Sequence, residues 1–323
     1  MLSMARSARD RAARVSHVDA SARTRPVVPA LATAITATTR PRRLYSTLKP
    51  AFGVLVGAAL VLCTLFPGQI APASPTDQQL AERLHPPDWM EGGTASHLLG
   101  TDSLGRDVYS RVIYGARTTF LVALLSSLIG GVGGTALGLL AAYYGGALDA
   151  FVRKLVDMQL AFPYLLLAIS VMAVAGRSLP ILVVVLALSS WPAFARIVRG
   201  EVLSLRERQF IEGARAIGCH DGRILLTHLL PGVTASLCVV WSFDLARVVV
   251  LESSLSFLGL GVQPPTPSWG MDLSESRQFL QIAYWTVLFP GLAISLVVLA
   301  ANLVGDWVRD VLDPIVKRNR AAA

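Results

Sequence analysis

Gly100, Gly105 and Arg106 have the spacing of a loop that binds phosphate through its backbone. Such a nucleotide loop also needs a lysine for the terminal phosphates and a serine or threonine for magnesium. The residue after Arg106 is Asp107, whose carboxylate would repel a polyphosphate. The sequence therefore argues against a nucleotide site in this segment.

Other signs of catalysis or metal binding are weak. The sequence has no Walker lysine and serine pair, no zinc-spaced histidines and no nucleophile elbow. His85 and His97 are separated by twelve positions and have no further ligands, a weak pattern even for nickel. Cys63, Cys219 and Cys238 are scattered and are interpreted as small apolar residues. We expect no catalytic residue, and no metal or cofactor bound by this chain.

The composition is that of a membrane protein. Hydrophobic residues make up 53% of the 323 residues, charged residues only 15%, and the mean hydropathy is +0.55. A membrane-spanning helix needs roughly 20 apolar residues. Six runs approach this length, and they predict an all-α integral membrane protein with six transmembrane helices at 50–67, 119–142, 158–176, 179–196, 232–257 and 284–305. The first run is short, but its distance from the start argues against a cleaved signal peptide.

Basic residues predict the orientation, because lysine and arginine stay preferentially on the cytoplasmic side. With the N-terminus inside, the cytoplasmic segments hold 22 of the 29 basic residues and the outer segments hold six. Arg247, within a helix, is the remaining one. We therefore expect both ends in the cytoplasm and Gly100 to Asp107 on the outer side.

The two ends are expected to be tails. Residues 1–48 are rich in arginine, alanine, serine and threonine, a composition that cannot bury enough apolar surface to fold. We interpret them as a disordered cytoplasmic tail near anionic lipid, with an organelle transit peptide as the alternative. Residues 307–323 form a cytoplasmic C-terminal tail, and 49–118 hold the first helix and an extracytoplasmic segment.

Small residues recur every fourth position in the second span, where they align along one face of the helix. This pattern favours close packing against another helix over a substrate-lining stripe. The residues are Ser126, Gly130, Gly134, Gly138 and Ala142. In the fourth span, Pro192 predicts a kink or the end of the helix.

Three ionisable residues occur in the fifth span: Asp244, Arg247 and Glu252. At 100° per residue they share one broad helix face, which cannot point at lipid. Asp244 and Arg247 are three residues apart and could neutralise each other as a purely structural pair. The alternative is a polar pathway or gate shared with another helix.

The cytoplasmic loop 197–231 has a helical pattern interrupted by glycine. Phe210, Ala214 and Ile217 recur at helical spacing, and Gly218 and Gly222 then mark a break. We expect two short helices joined by a turn that project from the membrane.

This loop resembles the EAA motif of ABC-importer permeases, although Gly213 replaces the middle alanine. The matching positions are Glu212, Gly213, Ala214, Gly218, Leu230 and Pro231. In that family the element docks into the ATP-binding subunit. The resemblance implies that these residues couple the chain to an ATPase.

Three further stretches resemble the dipeptide, oligopeptide and nickel group of these permeases: Leu99–Val108, Leu255–Gly270 and Gly305–Pro314. The resemblance implies a type I ABC-importer permease fold with its core at 119–306, in a bacterial inner membrane. It also implies four partners: a second, different permease, two ATP-binding subunits that hold ATP and magnesium, and an extracytoplasmic substrate-binding protein. A homodimer of permeases is the less favoured assembly, and no nucleic acid is expected.

The outer segment, Gly100 to Arg111, is interpreted as a structural lid or docking surface for the substrate-delivering protein. Its glycines allow tight turns, and its charged residues can form a local network with Arg111. The candidates are Gly100, Asp102, Gly105, Arg106 and Asp107, and a scaffold role is favoured over direct contact.

An ion-coupled secondary transporter or channel is the alternative function. Such proteins usually show paired broken helices or an internal repeat, and neither is evident in the sequence. The substrate stays open among peptides, nickel chelates and other small solutes.

Overall fold

The computed structural model describes the backbone of residues 42–312 and the side chains from residue 50 onward. The tail predicted for 1–48 lies mostly outside this range, and so do residues 313–323 of the predicted C-terminal tail. Residues 307–312 of that predicted tail belong to the last helix. Within the range, the first helix begins at Arg42, inside the predicted tail. The regular structure of the described residues is entirely helical, apart from one bridge between Thr101 and Asp107.

Eleven α-helices follow one another along the described chain, with single 3-10 turns at Leu80–Glu82 and Arg277–Phe279 and a π-helical turn at Ile224–Leu229. The α-helices are α1 Arg42–Leu65, α2 Pro67–Ile70, α3 Val108–Tyr144, α4 Gly146–Ala161, α5 Tyr164–Ala175, α6 Leu179–Leu205, α7 Gln209–Ala216, α8 Asp221–Arg223, α9 Leu230–Phe257, α10 Trp269–Ser276 and α11 Trp285–Leu312.

Four helical segments of the described chain are long and apolar enough to cross a membrane: α3, α6, the joined segment Asp221–Phe257, and α11. The pair α4 and α5 counts as one more crossing if taken together, and the apolar part of α1, Pro50–Leu65, is shorter. The segment Asp221–Phe257 contains the fifth predicted span and is called the fifth crossing below. The chain is therefore a multi-pass, all-α membrane protein. The count of six crossings and the orientation stay predictions.

The continuous helix predicted at 158–176 is wrong. The chain breaks at Phe162 and Pro163, and α4 and α5 meet at 92°. A residue before proline is driven out of the helical region, and Phe162 accordingly has an extended ψ of 135°. Hydropathy alone could not detect the break, because Phe162 and Pro163 do not interrupt the apolar run.

Two other helix ends also differ from the prediction. Helix α3 begins at Val108 and not near 119, because Asp107 caps it by accepting a hydrogen bond from the backbone N–H of Ser110 at 2.8 Å. Helix α6 does not end near Pro192 but continues to Leu205. Helices in apolar surroundings tolerate an internal proline when their neighbours pack tightly around it, and Pro192 is buried.

Helices α3 and α6 pack closely along the glycine stripe. A Cβ atom added at Gly130 or Gly138 would lie 2.5 Å from the carbonyl oxygen of Ala187 or Ala195, closer than real side chains approach. Glycine is thus required for the two backbones to meet. The packing interpretation of this stripe is confirmed.

Candidate functional site

The hairpin, defined here as Gln209–Leu229, contains α7, a tight turn and the start of the fifth crossing. Helix α7 ends at Ala216, and Gly218, two residues further on, has a φ of +78°, a conformation that favours glycine. The backbone N–H of Cys219 donates to the carbonyl of Ala214 at 3.0 Å and closes the turn. Gly222 lies inside α8, so the predicted second short helix is wrong: the chain runs helically from Asp221 to Phe257.

One side of the hairpin is buried against the C-terminal ends of α3 and α6. Ile211 and Leu229 are fully buried, and Ala214 is nearly so. These side chains join one apolar cluster, whose other buried members are Leu139, Ala142, Tyr143, Val198, Val202, Ile224, Leu225 and Val233. The hairpin is therefore packed as one piece with two membrane helices.

Polar contacts fix the same junction. The Tyr143 hydroxyl donates to the Asp221 carboxylate at 2.6 Å, and the Arg215 guanidinium lies 5.1 Å from the centre of the Tyr143 ring. Arg206 donates to the carbonyl of Ala142 at 2.8 Å. Sequence reasoning missed these anchors, because Tyr143 is 72 positions from Arg215 and nothing in the local pattern links the two.

The other side of the hairpin is a free surface in this chain. Three large apolar side chains are exposed on it: Phe210 at 48%, Ile217 at 81% and Leu226 at 64%. Glu212 is exposed without an ion pair among the described residues, and no atom lies within 4 Å of a Cβ built at Gly213. Exposed apolar groups beside an unpaired charge are typical of a protein-binding surface.

The remaining predicted coupling residues lie at the base of the hairpin. Leu230 is half-buried and Pro231 is exposed, and both directly follow the π-helical turn Ile224–Leu229. Of the six predicted residues, Glu212 and Gly213 are on the free surface, Gly218 makes the turn, and Ala214 faces the core.

The outer segment forms a buried ion network. Arg106 donates to Asp102 at 2.6 Å and also pairs with Glu275. Arg111 donates through Nε to Asp272 at 2.9 Å, so both arginines connect the segment to α10. Burial raises the pKa of Asp272 to about 6, although the neighbouring Arg111 charge acts against this. The two acidic partners on α10 were not foreseen.

His97 links two further carboxylates. Its Nε2 lies 2.7 Å from Glu82, and its Nδ1 lies 3.1 Å from Asp107. Burial alone would lower the pKa of His97, but the hydrogen bonds and charges of Glu82 and Asp107 outweigh it and raise the pKa. His97, one of the two histidines considered as nickel ligands, is thus paired with carboxylates through both ring nitrogens.

The predicted outer residues are all buried. Gly100 and Gly105 have φ values of +78° and +72°, and a Cβ at Gly100 would lie 2.6 Å from the carbonyl oxygen of His85. Asp102, Arg106 and Asp107 are also inaccessible. A docking protein could not touch them directly, so this geometry favours a scaffold.

Two of the three ionisable residues in the fifth crossing are brought together. Arg247 donates to Asp244 at 2.6 Å and to the Ser189 carbonyl of α6 at 3.0 Å. Ser127 of α3 donates to the second oxygen of Asp244 at 2.6 Å. Glu252 is not part of this group: it is fully buried and accepts a hydrogen bond from Ser256 at 2.7 Å.

Comparisons with known proteins agree with this architecture. The family described as binding-protein-dependent transport system inner membrane component matches residues 134–318. The dipeptide transport system permease protein of Alkalihalophilus pseudofirmus is 41% identical over 276 residues, covering 85% of this chain and 90% of that relative. The glutathione transport system permease protein of Pectobacterium atrosepticum is 47% identical over 227 residues, covering 70% and 75%.

A third relative, the di/tripeptide transport system permease protein of Pseudomonas aeruginosa, is 41% identical over 265 residues, covering 82% of this chain and 88% of that relative. The family match spans more than half of the chain, and it includes the hairpin, α6 and the fifth crossing. The chain therefore belongs to the family of binding-protein-dependent transport inner membrane components, as a non-catalytic permease subunit of a peptide-type ABC importer.

Proposed function

We propose that this permease forms half of a translocation pathway in a bacterial inner membrane, with six crossings and both ends in the cytoplasm. Its partners are a second, related permease, two ATP-binding subunits and an extracytoplasmic substrate-binding protein. ATP and magnesium bind to the ATPase subunits, and this chain binds no cofactor or metal. The observation that carries the proposal is the hairpin, whose free apolar surface is rigidly joined to α3 and α6.

The substrate we propose is a small peptide or a similar solute. Three similar permeases carry names that specify dipeptides, glutathione, and di- or tripeptides. All are short molecules with peptide bonds and free carboxylates. Choice among them belongs mainly to the substrate-binding protein, so we assign the class and not a single compound.

The mechanism we propose is alternating access driven from the cytosol. Closure of two ATPase subunits moves the hairpins that they bind. Each hairpin moves α3 and the fifth crossing with it, because Tyr143 is hydrogen-bonded to Asp221 and lies under the Arg215 guanidinium. A rigid junction transmits such a displacement, whereas a mobile loop would absorb it. The helices open to the outside and return after hydrolysis.

On the outer side we propose that the ion network holds a docking surface for the substrate-binding protein. The buried network positions the neighbouring loops, whose exposed apolar side chains include Trp89, Leu98, Ile282 and Tyr284. Because coupling between two sites is reciprocal, a loaded binding protein at this surface should change the ATPase rate inside.

The test is co-purification of the ATPase subunits with variants of the hairpin. Glu212→Lys reverses the exposed charge and Ile217→Asp places a charge in the apolar surface. We expect either change to lower the amount of bound ATPase at least tenfold, because a buried unpaired charge at an interface costs several kcal/mol. Glu91→Lys, an equal charge reversal on an exposed outer residue, is the matched control.

The assembled complex should also hydrolyse ATP faster when loaded binding protein is added. Unchanged ATPase retention in both hairpin variants would contradict the coupling proposal. An ion-coupled transporter would accumulate substrate in vesicles without ATP and would lose uptake when an ionophore collapses the gradient. The family match does not favour that alternative, and ATP-dependent uptake that resists ionophores would exclude it.

A further inference from the structure

Arg247 is a cation near the middle of the membrane. Helix α9 ends at Phe257, ten residues beyond Arg247. At 1.5 Å per residue this places Arg247 about 15 Å from the outer end of the helix. The hydrocarbon core of a bilayer is about 30 Å thick, so the Arg247 backbone lies close to the centre of the bilayer.

The Arg247 side chain is held in place and yet accessible. Its side chain is 42% exposed, whereas that of its partner Asp244 is 3% exposed. The Nη2 atom donates to Asp244 at 2.6 Å, to the Ser189 carbonyl at 3.0 Å and to the Ser190 hydroxyl at 3.3 Å. The Nη1 atom makes no hydrogen bond to the described residues. The guanidinium is therefore fixed through Nε and Nη2 in a partly exposed side chain, and its Nη1 donors have no partner among the described residues.

The surroundings of Arg247 are unusually polar for this depth. Trp191, the residue after Ser190, donates to the Gln159 side chain of α4 at 2.6 Å. Gln159 lies just before the 92° break between α4 and α5. Irregular backbone at membrane depth occurs where it is buried in protein or lines a water-filled cavity, and Phe162 at this break is exposed.

A cation with free donors does not face lipid tails, because no group there can accept its hydrogen bonds. Asp244 already compensates the charge, so a partner subunit has no need to supply a second carboxylate. The combination of an exposed cation, the polar groups of Ser189 and Ser190 on α6, and a broken neighbouring helix favours an aqueous pathway on this face.

We propose that Arg247 is a specificity-determining residue that contacts the carboxylate of a peptide as it crosses the membrane. This inference rests on the proposed function as a peptide permease. A guanidinium binds a carboxylate through two parallel hydrogen bonds, and the donors of Arg247 are directed by its bonds to Asp244 and Ser189. Because Asp244 neutralises the pair, the contact is weak enough for the peptide to leave again.

Transport of two probes tests the proposal. The assembled complex with its binding protein is placed in liposomes, and uptake of dialanine is compared with uptake of dialanine amide, which lacks the carboxylate. In Arg247→Gln we expect dialanine uptake to fall about tenfold relative to the unchanged complex, while uptake of the amide changes less than twofold. Each uptake is expressed as the ratio of the Arg247→Gln complex to the unchanged complex. Both complexes use the same binding protein, so its preference for one probe does not affect these ratios.

Two further variants protect the test against misfolding. Arg247→Gln alone leaves Asp244 buried without its cation, whereas the double variant Asp244→Asn with Arg247→Gln keeps the site neutral and similar in shape. The double variant should show the same selective loss, and Arg247→Lys should restore part of the dialanine uptake. Equal losses for dialanine and its amide in the double variant would overturn the role of Arg247.

Access from water is measured separately. In a chain with Cys63, Cys219 and Cys238 replaced by serine, Arg247→Cys should react with a negatively charged methanethiosulfonate in the assembled complex. Leu125→Cys is the control: Leu125 is exposed and lies two residues from Ser127, which bonds Asp244 at the same depth. A Cys at 247 that reacts no faster than the control would place this face against lipid or protein and overturn the inference.

The failure of the inference and that of the proposed function are distinguishable. If the ATPase subunits remain bound and respond to loaded binding protein but the two probes are affected equally, only the inference about Arg247 fails. If the unchanged complex takes up neither dialanine nor trialanine, the proposed peptide substrate is wrong, whatever the role of Arg247.

Discussion

The hairpin and the outer segment are held in place by different forces. The hairpin is packed mainly through apolar side chains such as Ile211 and Leu229, with polar contacts around Tyr143. The outer segment is held by buried charges, with Arg106 and Arg111 bonded to carboxylates of α10. Apolar packing is additive and non-directional, whereas a buried ion pair depends on every partner being present.

This difference suits the two tasks that we propose. The hairpin keeps one apolar face buried and leaves Phe210 and Ile217 free for a partner that exerts force on it. The outer network exposes none of its central residues and fixes the geometry of the loops around it. Four predictions test the contrast, starting with the largest effect.

Removing Arg111 should have the largest effect. Arg111→Gln leaves the buried carboxylate of Asp272 without its cation, and breaking a buried pair in this way costs about 3–5 kcal/mol. Since burial already raises the pKa of Asp272 to about 6, loss of Arg111 should raise it further. The variant should then be more stable at pH 5, where Asp272 can take up a proton, than at pH 8.

The measurement is thermal unfolding of the purified complex at both pH values. Arg177→Gln, which removes an exposed arginine, is the control and should unfold like the unchanged protein. Equal unfolding temperatures for Arg111→Gln and Arg177→Gln would show that the outer network does not hold the structure.

Truncating the buried side of the hairpin should have the next largest effect. Ile211 is fully buried, so Ile211→Ala should lower the free energy of unfolding by about 2–4 kcal/mol. Ile217→Ala removes the same atoms from an 81% exposed position and should change stability by less than about 0.5 kcal/mol. Thermal unfolding checks both variants. For ATPase retention we expect the opposite order: Ile217→Ala should lower the amount of bound ATPase because it changes the free surface. If the Ile217→Ala complex kept its full amount of ATPase, the free surface would not be the contact.

The turn of the hairpin should show a smaller effect. Gly218→Ala forces a Cβ into a φ of +78° and should cost about 1–2 kcal/mol. Gly222→Ala is the matched control, because Gly222 lies in the helix, an added Cβ would meet only the His220 side chain at an ordinary contact distance of 3.7 Å, and alanine is favoured there by up to about 1 kcal/mol. Opposite shifts in unfolding temperature are expected, and a loss of equal size in both variants would contradict the assigned turn.

The smallest effect should be a dependence on pH in the outer segment. Because Glu82 and Asp107 raise the pKa of His97, its stabilisation is fully present below the ordinary value near 6.5 and is lost as the pH rises through the raised value. Hydrogen exchange in residues 79–107 should therefore quicken between pH 6 and pH 8.5, after correction for the intrinsic rate. His97→Gln should abolish the change. Exchange in the hairpin serves as the internal control, and an identical pH response there would argue against His97 as the cause.

The sequence determined the class of this protein and the place of the hairpin to which we assign the coupling. Long apolar runs predicted an all-α membrane protein, and the positions of Glu212, Ala214, Gly218 and Pro231 indicated a permease hairpin. These features are local, because hydropathy and a glycine turn depend on neighbours in the chain. The glycine stripe from Gly130 to Gly138 was predictable for the same reason, since its spacing follows from helix geometry.

Only the tertiary structure decided which distant groups meet. The charges on the outer segment could be recognised in the sequence, but not that Arg106 and Arg111 pair with Glu275 and Asp272, more than 160 positions away. Helical periodicity placed Glu252 on the same face as Asp244 and Arg247, yet packing buried it beside Ser256. A helical wheel gives directions around one axis, whereas the choice between an aqueous pathway, a neighbouring helix and a buried hydroxyl depends on what surrounds that axis in three dimensions.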